Sequence, residues 1–173
     1  RRMGRKNNKF QKFTINFLVI IGLSSYINAG QLNEIVSSKK NTFQKIAIDI
    51  WELAELGYLE HKSSELLADE LRKNGFKITK GVADIPTSFV AEYSNGGPII
   101  GILGEFDALP GLAQTSSPFK EVAQNETGAG HACGHHLFGA ASAWAAVAIK
   151  EWIVENDING TIRFYGTPAE EGG

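Results

Sequence analysis

The sequence predicts an α/β domain in which helices are layered on a mixed sheet. Amphipathic and alanine-rich helical segments alternate along the chain with short strand-like runs, which is the pattern of such domains. With 43% hydrophobic and 10% aromatic residues, the 173 positions supply one sizeable core and exclude a disordered or fibrous chain. The single cysteine excludes an internal disulfide, so burial and hydrogen bonds must hold the fold.

The first 30 residues differ from the rest and have the order of a secretory signal. A basic segment is followed by an uncharged apolar run from Phe13 to Leu23 and by small residues near Ala29. We therefore expect residues 1–30 to be a signal peptide and the protein to be exported, either periplasmic or secreted. The alternative is an uncleaved anchor with membrane contact only through residues 13–29, but a spanning helix needs about 20 apolar residues and this run is shorter.

The charge balance of the remaining chain argues against a nucleic-acid partner. Six of the 17 basic residues and none of the 19 acidic residues lie within positions 1–30, so the rest carries eleven basic residues against 19 acidic ones. An acidic surface repels phosphate backbones, and no basic stripe with interleaved aromatic residues is present in the sequence.

The elements follow in order from Gln31, where an apolar period of 3.6 predicts a long amphipathic helix that ends at Gly57. Ser63 and Ser64 are expected to cap a second helix, which ends near Gly75. Three strand-like runs come next, and the third is so continuously apolar that we expect burial on both of its faces: FKITKG, SFVAEYS and IIGILGE. An alanine-rich helix with small residues suited to close packing on a sheet then leads to a last strand, GTIRFYGTP.

A long irregular segment between the third strand and the alanine-rich helix ends in GAGHACGHH, which holds the only cysteine and three of the four histidines. Loops of that length inside a domain are usually functional or disordered. Cys133 and His135 stand two positions apart just before a helix, whose N-terminus favours a thiolate, so the two side chains can converge on one point. They are candidates for a ligand pair. His131 and His136 are weaker candidates, as ligands or as supporting groups.

Carboxylates end two of the strands. Glu170 and Glu171, the Glu pair, follow the last of the predicted strands. They lie at its C-terminal end, which is where ligands gather in α/β sheets. Adjacent residues point in different directions, so one can bind a metal while the other acts as general base on a water molecule. Asp107 follows IIGILGE, with Glu105 two residues earlier on the same face. Asp107 either caps the turn at DALPG or orients a metal ligand.

Three motifs in this order, GEFDALPGL, GHACGHH and GTPAEEGG, resemble the M20 family of metallopeptidases. The closest resemblance is to its amidohydrolase branch, which includes aminobenzoyl-glutamate hydrolase subunits and N-acyl amino acid hydrolases. The resemblance implies a zinc-peptidase-like catalytic domain with two divalent metal ions, zinc or manganese. Cys133, His135 and Glu171 match ligand positions, Glu170 matches the general base, and Asp107 matches the residue that orients a ligand.

The resemblance also implies the reaction, which is hydrolysis of an amide bond in an N-acyl amino acid or dipeptide-like substrate by metal-activated water. His136 stands where the family usually has Asp or Asn. Family members continue past the Glu pair with further histidine ligands and a smaller inserted domain used for dimer formation. We therefore expect residues 31–173 to be the N-terminal part of a catalytic domain, incomplete at the C-terminus, whose full-length form is a homo-oligomer. Alone, this part should have a fraction of the metal affinity and no substantial activity.

Two other classes of function stay open on the sequence. In a thiol hydrolase, Cys133 would be the nucleophile and His135 or His131 the base, which leaves the Glu pair unexplained. In an exported noncatalytic binding protein, the motifs would persist without bound metal. Metal analysis separates the metal-dependent amidohydrolase from both alternatives.

Overall fold

The structure, a computed structural model, describes residues 8–125 and 127–172, with side chains described from residue 30 onward. Helices α2 and α3 pack on a four-stranded sheet, and α1 packs on both of these helices. The elements are α1 (Asn8–Leu53), α2 (His61–Lys73), β1 (Lys77–Lys80), β2 (Phe89–Ser94), β3 (Ile99–Gly104), α3 (His135–Glu155) and β4 (Thr161–Gly166), with 3-10 turns at Val82–Asp84 and Glu170–Gly172.

The sheet is mixed, as the sequence predicts, and its strand order is β1-β2-β4-β3. β2 pairs antiparallel with both β1 and β4, whereas β3 pairs parallel with β4. A parallel pair needs a crossover, and α3 supplies it. Gly104 at the end of β3 lies opposite Gly166 at the end of β4. The segments that follow these two glycines therefore leave the sheet side by side.

Two details of the helices differ from the sequence prediction. α1 ends at Leu53 rather than at Gly57, because Ala54 takes a left-handed conformation with φ of 40°. Ser63 does not cap α2. Its backbone N–H and its hydroxyl instead donate to the Glu55 carboxylate, at 2.8 and 2.7 Å. Ser64 also lies inside the helix, where its hydroxyl donates to the carbonyl of Thr87. A carboxylate from the preceding connection thus satisfies the N–H groups that a serine was expected to cap.

The expectation that the third strand is buried on both faces is wrong. Among the described residues β3 pairs with β4 alone, so it is an edge strand. Ile99, Ile100 and Leu103 are 58%, 51% and 55% exposed. The helices cover one face of the sheet, and no other described element covers the opposite face at β3. A continuous apolar run is typical of a strand covered on both faces, but the run itself cannot supply the cover.

Helix α3 packs closely against the sheet because it begins with small residues. Gly139 is buried, and a Cβ atom there would collide with the carbonyl oxygen of Glu105. Ala140 and Ala143 are buried next to it, whereas Ala141 faces outward. By length and composition α3 could cross a membrane, but it packs on α1, β3 and β4 as a core helix. The close approach brings the first turn of α3 to the carboxyl end of β3.

The structure describes the predicted signal peptide only in part. Residues 1–7 are not described, and for 8–29 only the backbone is, as part of α1. Cleavage, export and the domain boundary at residue 30 therefore stay predictions.

His131 ties the histidine-rich loop to α1. Its ring is 6% exposed, and its Nε2–H donates to the carbonyl of Ile50 at 3.0 Å. Burial, followed by the nearby His136 ring, lowers the pKa of His131 to about 4. The folded protein thus holds this ring in its neutral form over most of the pH range.

This burial predicts a loss of stability in acid. The unfolded chain binds a proton on His131 as the pH falls through 6.5, whereas the folded chain does not until about pH 4. The stabilisation is complete above pH 6.5 and is lost as the pH falls toward 4. In urea unfolding of the metal-free protein, His131→Gln should therefore reduce the loss of unfolding free energy between pH 7 and 4.5.

His61→Gln is the matched control, because His61 is exposed at the start of α2. It should leave the pH profile of the wild type unchanged. Parallel profiles for the wild type and His131→Gln would contradict the prediction.

Candidate metal centre

The predicted site residues meet where β3 and β4 end and α3 begins. Cys133 is exposed in the turn before α3, and Gly134 precedes the helix with φ of 91°. His135 is the first residue of α3 and is 4% exposed. The sequence placed both candidate ligands in the turn, whereas the structure places His135 in the helix. The small residues of the next turn let this part of α3 approach the sheet, so that His135 lies over the strand ends.

Asp107 fixes the orientation of the His135 ring. Asp107 is 1% exposed, and its Oδ1 lies 2.8 Å from His135 Nδ1. The carbonyl oxygen of Asp107 lies 3.2 Å from the same nitrogen. Both oxygens are acceptors, so Nδ1 carries a hydrogen, and Nε2 is the nitrogen left to bind a metal. This is the arrangement in which a carboxylate prepares a histidine to bind a metal.

The other oxygen of Asp107 holds the Glu pair. Asp107 Oδ2 accepts a hydrogen bond from the backbone N–H of Glu171 at 2.9 Å. One buried carboxylate therefore contacts His135 through one oxygen and the Glu171 backbone through the other. Asp107 therefore joins the first residue of α3 to the segment that follows β4.

Carboxylates surround the His135 ring. Glu105 Oε2 lies 2.9 Å and Glu170 Oε2 3.6 Å from His135 Nε2. Burial raises the pKa of Glu105, and the charges of Glu170, Asp107 and Glu171 raise it further although His135 opposes them. An imidazole lone pair and an ionised carboxylate at this distance require a proton or a cation between them.

Two sets of side chains have donor atoms within 4.8 Å of one another, and His135 belongs to both. One set adds Cys133 and Glu171, and the other adds Glu105 and Glu170. Glu171 Oε1 is buried and has no hydrogen-bond partner among the described residues. Thiolate, imidazole and carboxylate are ligands of zinc, and imidazole and carboxylate also suit manganese. The residues present therefore fit a divalent cation.

The electrostatic environment of Cys133 is the opposite of the one expected from the helix N-terminus. The hydrogen bond with Glu171 and the charge of that carboxylate raise the pKa of Cys133. Nucleophilic cysteines have a lowered pKa, so this environment does not favour a thiol enzyme. A bound cation deprotonates a coordinating thiol outright.

The remaining candidates lie beside the cluster. His131 and His136 belong to neither ligand set, and their rings lie 5.0 Å apart. Burial, followed by the charge of His135, lowers the pKa of His136. Glu105 was not among the predicted ligands, although it lies close to His135. The available signal was its position two residues before Asp107, on the same face of the strand.

Comparisons with known proteins by family model, sequence and fold agree on one family. Residues 101–173, which contain all five predicted site residues, match the model of peptidase family M20/M25/M40. A p-aminobenzoyl-glutamate hydrolase subunit of Escherichia coli (strain K12) is 39% identical over 82% of this chain and 30% of its own length. Hippurate hydrolase of Campylobacter jejuni is 31% identical over 75% of this chain and 32% of its own length. N-acetylcysteine deacetylase of Bacillus subtilis is 33% identical over 71% of this chain and 31% of its own.

The chain thus spans about a third of the length of these curated relatives. Among solved structures, the YXEP protein of Bacillus subtilis, a dinuclear metal binding peptidase from the M20 family, matches with a TM-score of 0.62 and 28% identity. That match covers 78% of this chain and 36% of the YXEP chain. An aminobenzoyl-glutamate utilization protein from Klebsiella pneumoniae shares the fold, with a TM-score of 0.54, 18% identity, and coverage of 82% of this chain and 40% of its own. Over residues 101–173 this chain thus matches peptidase family M20/M25/M40, and its sequence relatives agree with that match.

Proposed function

We propose that this chain carries part of the active site of a metal-dependent amidohydrolase that acts on N-acyl amino acids or dipeptide-like substrates. The observation that carries the proposal is the convergence of the Cys133, His135 and Glu171 donor atoms within 4.8 Å of one another. The names of three relatives support the substrate class, because aminobenzoyl-glutamate, hippurate and N-acetylcysteine are all acyl groups joined by an amide bond to an amino acid.

We propose that the cations are two zinc or manganese ions and that Cys133, His135 and Glu171 are ligands to them. One oxygen of Asp107 bonds to Nδ1 of His135, which leaves Nε2 as the nitrogen that would bind a cation, and the other oxygen bonds to the Glu171 backbone. Bound divalent cations would supply Lewis acidity and would lower the pKa of a water molecule. The identity of the metal depends on the rest of the ligand set, since thiolate favours zinc and carboxylates accept manganese.

Glu170 is the proposed general base. Its side chain is 53% exposed, whereas that of Glu171 is 18% exposed. The two residues are consecutive in a 3-10 turn, so their side chains leave the backbone in different directions. Glu170 therefore faces the open side of the cluster, where it can take a proton from water and return it to the leaving amine.

The whole enzyme's properties are part of the proposal, because the chain spans about a third of its relatives. We propose that it is exported through residues 1–30, and that the complete form supplies further ligands and forms a homo-oligomer. Residues 31–173 with added zinc or manganese should give no substantial turnover of an N-acyl amino acid. Clear metal-dependent turnover would show that this segment holds the full catalytic machinery.

The orienting role of Asp107 predicts a specific loss of metal affinity. Asp107→Asn keeps the size of the side chain but weakens the hold on His135 Nδ1 and removes its negative charge. The affinity for Co²⁺, followed by the thiolate charge-transfer and d–d absorption bands, should fall about 10–100-fold, as it does for other groups that orient metal ligands.

Asp49→Asn is the matched control, since Asp49 pairs with Lys45 on α1 and lies away from the cluster. It should leave cobalt binding unchanged. Equal affinities for the wild type and Asp107→Asn would remove Asp107 from the site.

The two members of the Glu pair should respond differently to the same substitution. Glu171→Gln should weaken cobalt binding, because it removes a charged ligand, whereas Glu170→Gln should leave binding close to that of the wild type. In an enzyme of the relatives' full length into which residues 31–173 have been exchanged, Glu170→Gln should lower kcat by about 10²–10⁴-fold, the usual contribution of a general base. The assignment is reversed if Glu170→Gln is the variant that loses the metal.

A further inference from the structure

Outside the metal cluster the structure holds a fully buried carboxylate, that of Glu60. This residue directly precedes α2 and has no exposed surface. Its Oε1 accepts a hydrogen bond from the backbone N–H of Ala169 at 2.7 Å, and its Oε2 accepts one from the hydroxyl of Thr87 at 2.9 Å. Burying a charged group is costly unless its partners satisfy it, and both of these donors are uncharged. Such a group calls for a role beyond packing.

The contact with Ala169 joins Glu60 to the segment that carries the Glu pair. Ala169 directly precedes Glu170 and has φ of 58°, in the left-handed region that residues other than glycine rarely adopt. A residue keeps such a conformation only where its surroundings impose it. Here the Ala169 N–H donates to the Glu60 carboxylate, and hydrogen bonds to carboxylates are among the stronger ones in proteins.

The neighbouring N–H groups of the same segment have equally specific acceptors. The N–H of Thr167 donates to the carbonyl of Gly104 at 3.0 Å, and that of Glu171 donates to Asp107 Oδ2 at 2.9 Å. The bond from Ala169 to Glu60 lies between these two. The backbone N–H groups of residues 167, 169 and 171 thus donate to three different parts of the fold. Glu170 lies between the last two of these hydrogen bonds.

Gly57 also packs against Ala169. A Cβ atom at Gly57 would lie 3.0 Å from both Cα and Cβ of Ala169. The connection between α1 and α2 therefore packs directly on Ala169 through Gly57 and bonds to it through Glu60.

We propose that Glu60 is a positioning residue for the Glu pair. By holding Ala169 in the left-handed conformation, it turns the chain after β4 so that the carboxylates of Glu170 and Glu171 face His135. This inference rests on the proposed function insofar as it assigns the Glu pair to a metal site. The contact between Glu60 and Ala169 can be tested independently of that site.

The test compares Glu60→Met with Glu60→Gln. Met has a similar volume but no strong acceptor, whereas Gln keeps an acceptor for the Ala169 N–H, and its amide can donate to the Thr87 hydroxyl. Two quantities are measured: the hydrogen exchange of the Ala169 amide in metal-free protein by NMR, and the affinity for Co²⁺ by absorption. Glu60→Met should speed up the exchange and weaken cobalt binding about tenfold, at the low end of the effect of outer partners. Glu60→Gln should restore both.

Thr87→Val is the matched control for a general loss of stability. It removes the other hydrogen bond of Glu60 and leaves the bond to Ala169 in place. Its thermal unfolding should shift to lower temperature, while cobalt affinity and Ala169 exchange stay at wild-type values. Should Glu60→Met fail to fold, Gly57→Ala places a methyl group against Ala169 and should weaken cobalt binding in a folded protein.

Three results would overturn the proposal: equal losses of affinity in Glu60→Met and Glu60→Gln, an Ala169 amide that stays protected in Glu60→Met, or a loss in Thr87→Val as large as in Glu60→Met. If the wild type itself binds no cobalt, the metal-site proposal fails, and the exchange measurement alone then decides whether Glu60 holds Ala169.

Discussion

The candidate metal centre depends on one buried carboxylate, that of Asp107. Its two oxygens face different segments, one bonded to the ring of His135 and the other to the backbone N–H of Glu171. Because each bond fixes a direction, the two predicted ligands are held relative to each other before any cation arrives. The remaining carboxylates stay close together in spite of their repulsion, and burial together with this repulsion raises the pKa of Glu105. Preorganisation of this kind concentrates negative charge where a divalent cation can neutralise it.

The sheet makes the arrangement geometrically available. β3 and β4 are parallel neighbours in the sheet, and Gly104 lies opposite Gly166. The residues that follow these two glycines therefore leave the sheet at the same end of the strands. Gly139 allows α3 to pack closely on the sheet, and this packing brings His135 over the ends of these two strands. The same topology leaves β3 with an unpaired edge and exposed apolar side chains among the described residues. The positioning of the site and the exposure of β3 are therefore consequences of one strand order.

The sequence predicts the mixed sheet, the helices and the family, because these depend on apolar period, turn residues and ordered motifs. It also singles out the five residues that the structure brings together, although their roles stay predictions. The sequence does not reveal features that depend on contacts between residues far apart in the chain. The continuous apolar run of β3 could not reveal that no described element covers one of its faces. The pKa of Cys133 is raised by Glu171, which is distant in sequence, so the local effect of the helix end was a misleading guide. Glu60 carries no motif at all, and only its burial and its bond to Ala169 distinguish it.

The sequence separation of these bonds has a consequence for the order of folding. The Asp107–His135 bond spans 28 positions, the Asp107–Glu171 bond 64, and the Glu60–Ala169 bond 109. Contacts between distant positions need more chain to be ordered before they can form, so they tend to slow folding. We expect the histidine to be oriented early, while the Glu pair joins only after β4 has entered the sheet. A nascent or partly folded chain would then present Cys133 and His135 without their carboxylate partners and hold a cation weakly. On the proposed function, metal loading would follow folding, and a retained ion would mark a chain whose β4 is in place.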